Sequence, residues 1–189
     1  MENCNPNKTP AACKALGMDP EGQPHSKKWD YAGVVGMLIY LATNTRPNIS
    51  FAVSQVARFN HQPKASHSTA VKMIIRYLKG TADKGMIVKV KKKLDLDCYV
   101  DADFLGLYKR DPDTEPSSVK SRLGYMIFLA GFPLIWKSQL MQEIALSTTE
   151  AEYSAASIAM RALVPLMRIV KEAAEFVNLP SDIDKSISA

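Results

Sequence analysis

The chain is predicted to be an α/β (α+β) protein in which a small helical segment precedes an antiparallel strand meander packed on one long helix. Three patterns lead to this. Upstream of Gly80, apolar residues recur at helical spacing in three runs punctuated by Pro47 and Pro63. From Leu94 onward the pattern changes to short alternating or continuous apolar runs of strand length. From Ser147 a helical stripe with its own start signal extends as far as Val177.

The first helix begins at Tyr31, carries Val34, Val35, Leu38 and Leu41, and ends near Thr43-Asn44-Thr45-Arg46-Pro47. A second starts after Pro47, with Asn48 or Ser50 as its cap and Phe51, Val53, Val56 and Phe59 among its apolar residues. A third follows Pro63, where Ser66 is the candidate cap; His67, Val71, Ile74, Ile75 and Leu78 form its stripe, and Gly80 suits its end. Gly85-Met86-Ile87-Val88-Lys89-Val90 reads as a short strand. Leu94, Leu96, Cys98 and Val100 then alternate with Asp95, Asp97, Tyr99 and Asp101, so one face is apolar and the other acidic. After the polar stretch around Pro112 and Pro116, Tyr125 to Ala130 reads as a strand ended by Gly131. Leu134 to Ser138 and Glu143 to Ser147 complete the meander.

Ser147 followed three residues later by Glu150 is a capping box that opens the long helix. At 3.6 residues per turn Glu152 falls in line with Ala155, Ala159, Ala162, Leu166, Ile169, Val170, Ala173 and Val177, the face expected to lie on the sheet. A carboxylate there would need a cation or a strong hydrogen-bond partner, since burying it alone costs several kcal/mol, of order 2–7 even for an uncharged polar group. Pro165 inside the pattern predicts a kink or break near Arg161.

With 189 residues, 47% hydrophobic and 23% charged, the chain has material for one or two modest cores. The expected division is a mobile leader over 1–28, a helical segment with a basic face over 29–92, the strand and long-helix domain over 93–180, and a tail over 181–189. Cys4, Cys13 and Cys98 are odd in number and lack paired zinc-type spacing, which predicts a reducing, intracellular and cytoplasmic setting. The start has no apolar signal-peptide core and no run approaches the roughly 20 apolar residues of a membrane span, so a soluble chain with no membrane partner is expected.

The formal charge of +5 is unevenly spread. Between Arg58 and Lys93 ten basic side chains stand against Asp83 alone. Lys72, Arg76 and Lys79 of the third helix and the run Lys91, Lys92, Lys93 are the candidate nucleic-acid contacts; a solvated helix face and a lysine-rich loop explain the same residues without a ligand.

Asp101 at a strand end and Glu152 in the first turn of a helix are oxygen ligands of the kind magnesium takes, with phosphate and water completing its shell. By spacing alone this stands beside an ordinary solvated aspartate. Four ordered blocks add to it: Tyr99-Val100-Asp101-Ala102-Asp103-Phe104-Leu105-Gly106, Arg122-Leu123-Gly124-Tyr125, Ile135-Trp136-Lys137-Ser138, and Ala145-Leu146-Ser147-Thr148-Thr149-Glu150-Ala151-Glu152-Tyr153. This order and spacing resembles the ribonuclease H domain of copia-type LTR retrotransposon polyproteins. The upstream part, with Thr45-Arg46-Pro47-Asn48-Ile49-Ser50-Phe51 and Arg76-Tyr77-Leu78-Lys79-Gly80-Thr81, is similar to the segment joining reverse transcriptase to that domain.

The resemblance implies an incomplete ribonuclease H-like fold, Asp101 and Glu152 as catalytic metal ligands, Mg2+ as cofactor, and an RNA:DNA hybrid as substrate. It also implies the rest of a retroelement polyprotein as a partner, and a virus-like particle or the nucleus as the parent element's location. Asp103 ranks below Asp101, and Phe104 stands where the family has tryptophan. The family continues past the long helix into a strand with a third aspartate, a further helix and a last carboxylate. Here Asn178-Leu179-Pro180 leads to a short polar stretch in which Asp182 or Asp184 would have to substitute. The expectation is a C-terminally truncated nuclease domain with impaired hydrolysis; the alternative is a non-catalytic remnant that retains nucleic-acid affinity. No Tyr-x-Asp-Asp tract is present, so DNA synthesis by this chain is not expected.

Overall fold

The computed structural model describes residues 4–12, 15–87, 94–108 and 116–178. The chain divides into two compact units, Met1–Gly85 with Leu105–Lys120, and Met86–Phe104 with Ser121–Ala189. The fold is mixed helix and sheet, as expected, but the connection after the first strand belongs to the helical unit rather than to the unit that contains that strand.

In the first unit α1 spans Tyr31–Asn44, a 3-10 turn spans Pro47–Ile49, α2 spans Ser50–Ala57 and α3 spans Ala65–Lys79. Tyr31, Val35, Leu38 and Ala42 of α1 are buried with Ile49, Ala52, Val53 and Val56, and Val71 and Ile74 close the core from α3. Gly80 ends α3 as expected, but none of the expected N-caps of α2 and α3 operates. Ser50 lies inside the helix and donates to the Ala42 carbonyl at 3.2 Å, and the Ser66 hydroxyl is buried without a hydrogen-bond partner. At α3 the cap is His67, whose Nδ1 accepts from the Lys64 backbone N–H at 2.9 Å while Nε2 faces the Gly17 carbonyl at 2.9 Å. The ring stacks on Phe59 with centroids 3.9 Å apart, and its burial lowers its pKa.

The described part of the leader lies on this unit. Leu16 packs into the core with its N–H on Gln55 Oε1, Pro24 bridges to Lys64, and His25 Nδ1 meets Ser68 Oγ at 2.7 Å. Backbone groups unpaired within the leader find partners on α2 and α3, which gives an irregular segment a fixed place.

The second unit is a three-stranded antiparallel sheet in the order β1-β2-β3, with β1 Leu96–Asp103, β2 Arg122–Leu129 and β3 Phe132–Leu140, followed by α4 Thr148–Phe176. The β2-β3 hairpin turns on Ala130 and Gly131, both at positive φ, the geometry that matches strand twist in a two-residue turn. Leu96, Cys98, Val100 and Ala102 join clusters with α4, so by alternation Asp97, Tyr99, Asp101 and Asp103 point to the other face.

Three sequence expectations are corrected here. The segment Glu143 to Ser147 is no strand: it loops, burying Met141 and Ala145 and leaving Leu146 exposed, with the Leu146 N–H on Glu150 Oε2 at 2.7 Å instead of in a ladder. Gly85, Met86 and Ile87 have no strand structure, and Val88, Lys89 and Val90 lie outside the described residues. Most consequentially, α4 buries Ala151, Ala155, Ala159, Leu163, Val170 and Ala174, while Glu152, Ile169, Ala173 and Val177 are exposed. Ala155, Ala159 and Val170 are buried as the stripe predicts, but the seam drifts along the helix, with Ala151 buried in place of Glu152 near its start and Leu163 and Ala174 in place of Ala162 and Ala173 further on; alanines let the helix approach closely and the carboxylate stays in water.

Helix α4 runs unbroken through Pro165, so the expected break does not occur. Arg161 and Pro165 are both exposed, which leaves the carbonyl that loses its partner free to bind water. Among the described residues α4 is also one helix long and apolar enough by length and composition to cross a membrane, contrary to the sequence expectation; its buried alanine seam gives it the role of covering the sheet.

Candidate nuclease site and basic face

Asp101 is exposed near the end of β1 and stands in register with Gly124 of β2. Because Gly124 has no side chain, the cross-strand position beside the carboxylate is bare. Asp103, two residues on and on the same face, stands across from the buried Arg122.

Glu152 is the fifth residue of α4, just past its first turn, and it is exposed. That turn is held by Ser147 Oγ accepting from Glu150 N–H at 3.1 Å and by Glu150 Oε2 accepting from Leu146 N–H, so Glu150 is occupied with capping, one residue earlier than the standard box. Ala151 and Ala155 share a cluster with Val100 and Ala102, the neighbours of Asp101 in β1. Asp101 and Glu152 therefore belong to the same end of the unit. They do not share a face: the pleat turns Asp101 away from the side that α4 covers, and no hydrogen bond joins the two.

Among the described residues no group of three or more His, Cys, Asp or Glu side chains is arranged to hold a metal ion. Two exposed carboxylates are oxygen donors of the right kind for Mg2+, which characteristically takes one or two protein carboxylates and fills its shell with water and substrate phosphate. Asp182 and Asp184 lie outside the described residues.

On the helical unit Lys72 is exposed on α3. Arg76 Nε donates to the Asn5 carbonyl at 2.6 Å, Lys79 Nζ donates to the Cys4 carbonyl at 3.1 Å, and the Asn7 N–H returns to the Arg76 carbonyl at 3.3 Å. The leader thus crosses the face that the sequence marked as basic and occupies two of its three cations. Gly80 permits this approach, since a Cβ there would come within 2.7 Å of Pro6. Lys91, Lys92 and Lys93 lie outside the described residues. These leader contacts are carbonyl interactions that no composition or periodicity signals.

No family model matches the chain, and no solved structure matches it. Curated relatives do. It is 40% identical over 124 residues to the retrovirus-related Pol polyprotein from transposon RE1 of Arabidopsis thaliana, covering 66% of this chain and 8% of that protein. It is 36% identical over 178 residues to the corresponding polyprotein from transposon TNT 1-94 of Nicotiana tabacum, covering 91% of this chain and 13% of the relative. A third relative, secreted RxLR effector protein 161 of Plasmopara viticola, is 35% identical over 138 residues, which cover 73% of this chain and 92% of that protein. The chain thus spans a small part of the Pol polyproteins and nearly all of the third relative.

Proposed function

Because this chain belongs with the retrovirus-related Pol polyproteins of copia-type retrotransposons, we propose that it is a retroelement-derived ribonuclease H-like fragment whose ancestral reaction is hydrolysis of the RNA strand of an RNA:DNA hybrid, impaired in this chain. The observation that carries this reading is the pairing of motif with position: Asp101 lies at a bare strand position opposite Gly124, at the end of the unit where α4 begins with Glu152. Magnesium, when bound with substrate phosphate, would supply charge stabilisation for the attacking and leaving oxygens.

The residues' own parts follow. Asp101 and Glu152 would offer carboxylate oxygens to the cation once brought together, and Ser147 and Glu150 hold the helix start that carries Glu152. Lys72, on the helical unit, would attract a phosphate backbone without reading sequence. What supports impairment is that Asp101 projects from the face of β1 opposite to the one α4 covers, whereas Glu152 stands on α4, and misplacement of about 1 Å can already cost roughly 100-fold in rate.

The test is hybrid cleavage in magnesium by the chain and by Asp101→Asn and Glu152→Gln. A rate that falls by about tenfold or more in both variants is expected, and equal rates in all three proteins would dispose of the nuclease reading. The second reading is a non-catalytic remnant that binds nucleic acid; what supports it is that one relative consists almost wholly of the shared segment, without the rest of a polyprotein. It expects no hybrid cleavage above background in any of the three proteins, with salt-sensitive binding retained.

A further inference from the structure

Helix α4 packs chiefly on β1 and less on β2, so the same face of the sheet is left open over β3. The register makes Lys137 the neighbour of Tyr125 and Gln139 the neighbour of Leu123, and both β2 residues belong to clusters with α4. Lys137 and Gln139 therefore form the floor of a trough whose wall is α4 and whose end is the 141–147 loop. Its volume is about 480 Å³, inside the 300–1,000 Å³ range typical of small-molecule sites.

The wall has a pattern of its own. Ser154, Ser157, Ile158 and Arg161 recur at helical spacing in the middle stretch 153–167, which is otherwise apolar, and all of them line the trough. One end thus combines a lysine from the sheet, an arginine from the helix, and hydroxyl and amide donors between them. Ile158 and Ala162, one turn apart on α4, add an apolar patch, with the core residues Met141 and Ala145 under the loop end. The loop end carries Glu143 and Glu150, which are acceptors. A bare anion would leave most of this space and the acceptor end unused. A ligand with a phosphate, an apolar ring and donor groups matches all three.

We propose that this trough is a nucleotide-binding site in which Lys137 and Arg161 take the phosphate, the apolar patch takes the base, and the Glu143 end takes sugar hydroxyls or base amino groups. Arginine supplies a planar fork and lysine a point charge, the two usual modes of phosphate recognition. The site goes beyond the hydrolase reading: it lies on the face covered by α4, whereas Asp101 points from the other face, and binding here needs no metal.

The experiment is calorimetric titration of the full chain with adenosine monophosphate in EDTA, with adenosine and inorganic phosphate as partial ligands. Adenosine monophosphate is expected to bind more tightly than either part. Lys137→Gln and Arg161→Gln, both at exposed positions that leave the core intact, should each weaken it by about tenfold. Asp101→Asn should bind as the parent does, which separates this site from the nuclease proposal. A short oligodeoxyadenylate that displaces the mononucleotide marks a nucleic-acid strand as the source of the phosphate; one that does not marks a free nucleotide. No binding at millimolar ligand, or equal affinity in the parent and both charge variants while thermal melts show them folded, overturns the proposal.

Discussion

Across from Asp101 the strand neighbour is Gly124, and a Cβ built there would meet nothing closer than the Lys137 carbonyl at 3.9 Å, an ordinary contact. Valine at 124 is therefore sterically admissible in β2 and favoured in a strand, but its methyl groups would occupy the space beside the carboxylate. Gly124→Val should melt within a few degrees of the parent while any magnesium-dependent hybrid cleavage falls about tenfold or more, checked by thermal unfolding beside the cleavage assay. His67 works the other way, through protonation. Its Nδ1 must stay unprotonated to accept from Lys64 N–H, and burial, the largest influence, holds its pKa below the ordinary value despite the Gly17 carbonyl and Asp19. On acidification the unfolded chain takes the proton first. This histidine's contribution is thus complete above about pH 6.5 and is lost as pH falls below that toward the lowered native pKa. His67→Gln can accept and donate in the same places, so the drop in urea midpoint between about pH 7.5 and pH 5 should be smaller in the variant than in the parent. An equal drop in both would assign the acid sensitivity elsewhere.

The long helix tests what holds an element in place. Ser147 accepts from Glu150 N–H, and Ser147→Ala should cost about 1 kcal/mol, read from urea unfolding. Pro165 is exposed in mid-helix, and Pro165→Ala should stabilise by about 1–3 kcal/mol, since it restores a hydrogen bond and disturbs no core contact. Both residues were legible in the sequence, and so were the start of α1, the stripe of α3 and the alternation of β1, because in each the apolar period is uninterrupted. The drift of the buried seam along α4 was not. Alanine is ambiguous between a packed seam and a neutral surface, so Ala151 and Ala174 could not be told from Ala162 and Ala173 by period alone. The same ambiguity reaches the site: periodicity put Glu152 on the buried seam, the structure exposes it, and the family motif is what now singles it out. The groove residues Lys137 and Arg161 went unread because their meeting depends on where α4 lies across the sheet. Yet the polar series Ser154, Ser157, Arg161 in the otherwise apolar middle of α4 was a visible signal.

At the scale of the whole chain, the excess of positive charge and its availability are different quantities. The leader sits on α3, accepts from Arg76 and Lys79 through the Asn5 and Cys4 carbonyls, and approaches Gly80 too closely for a side chain to intervene. Neutral carbonyls do not cancel those charges, but each takes up a donor and stands where a phosphate would. A leader that competes with polyanions predicts that removing residues 1–9 strengthens binding to an RNA:DNA hybrid, and that Gly80→Ala does so partially by pushing Pro6 away. Each phosphate contact newly made releases counterions, so the slope of log affinity against log salt should steepen by up to about two for the deletion, one for each freed cation. Neutralising Arg76 and Lys79 as well should return the slope to the parent's value. A deletion variant that binds hybrid with the parent's affinity and salt slope would mean that these two cations never meet phosphate, with or without the leader over them.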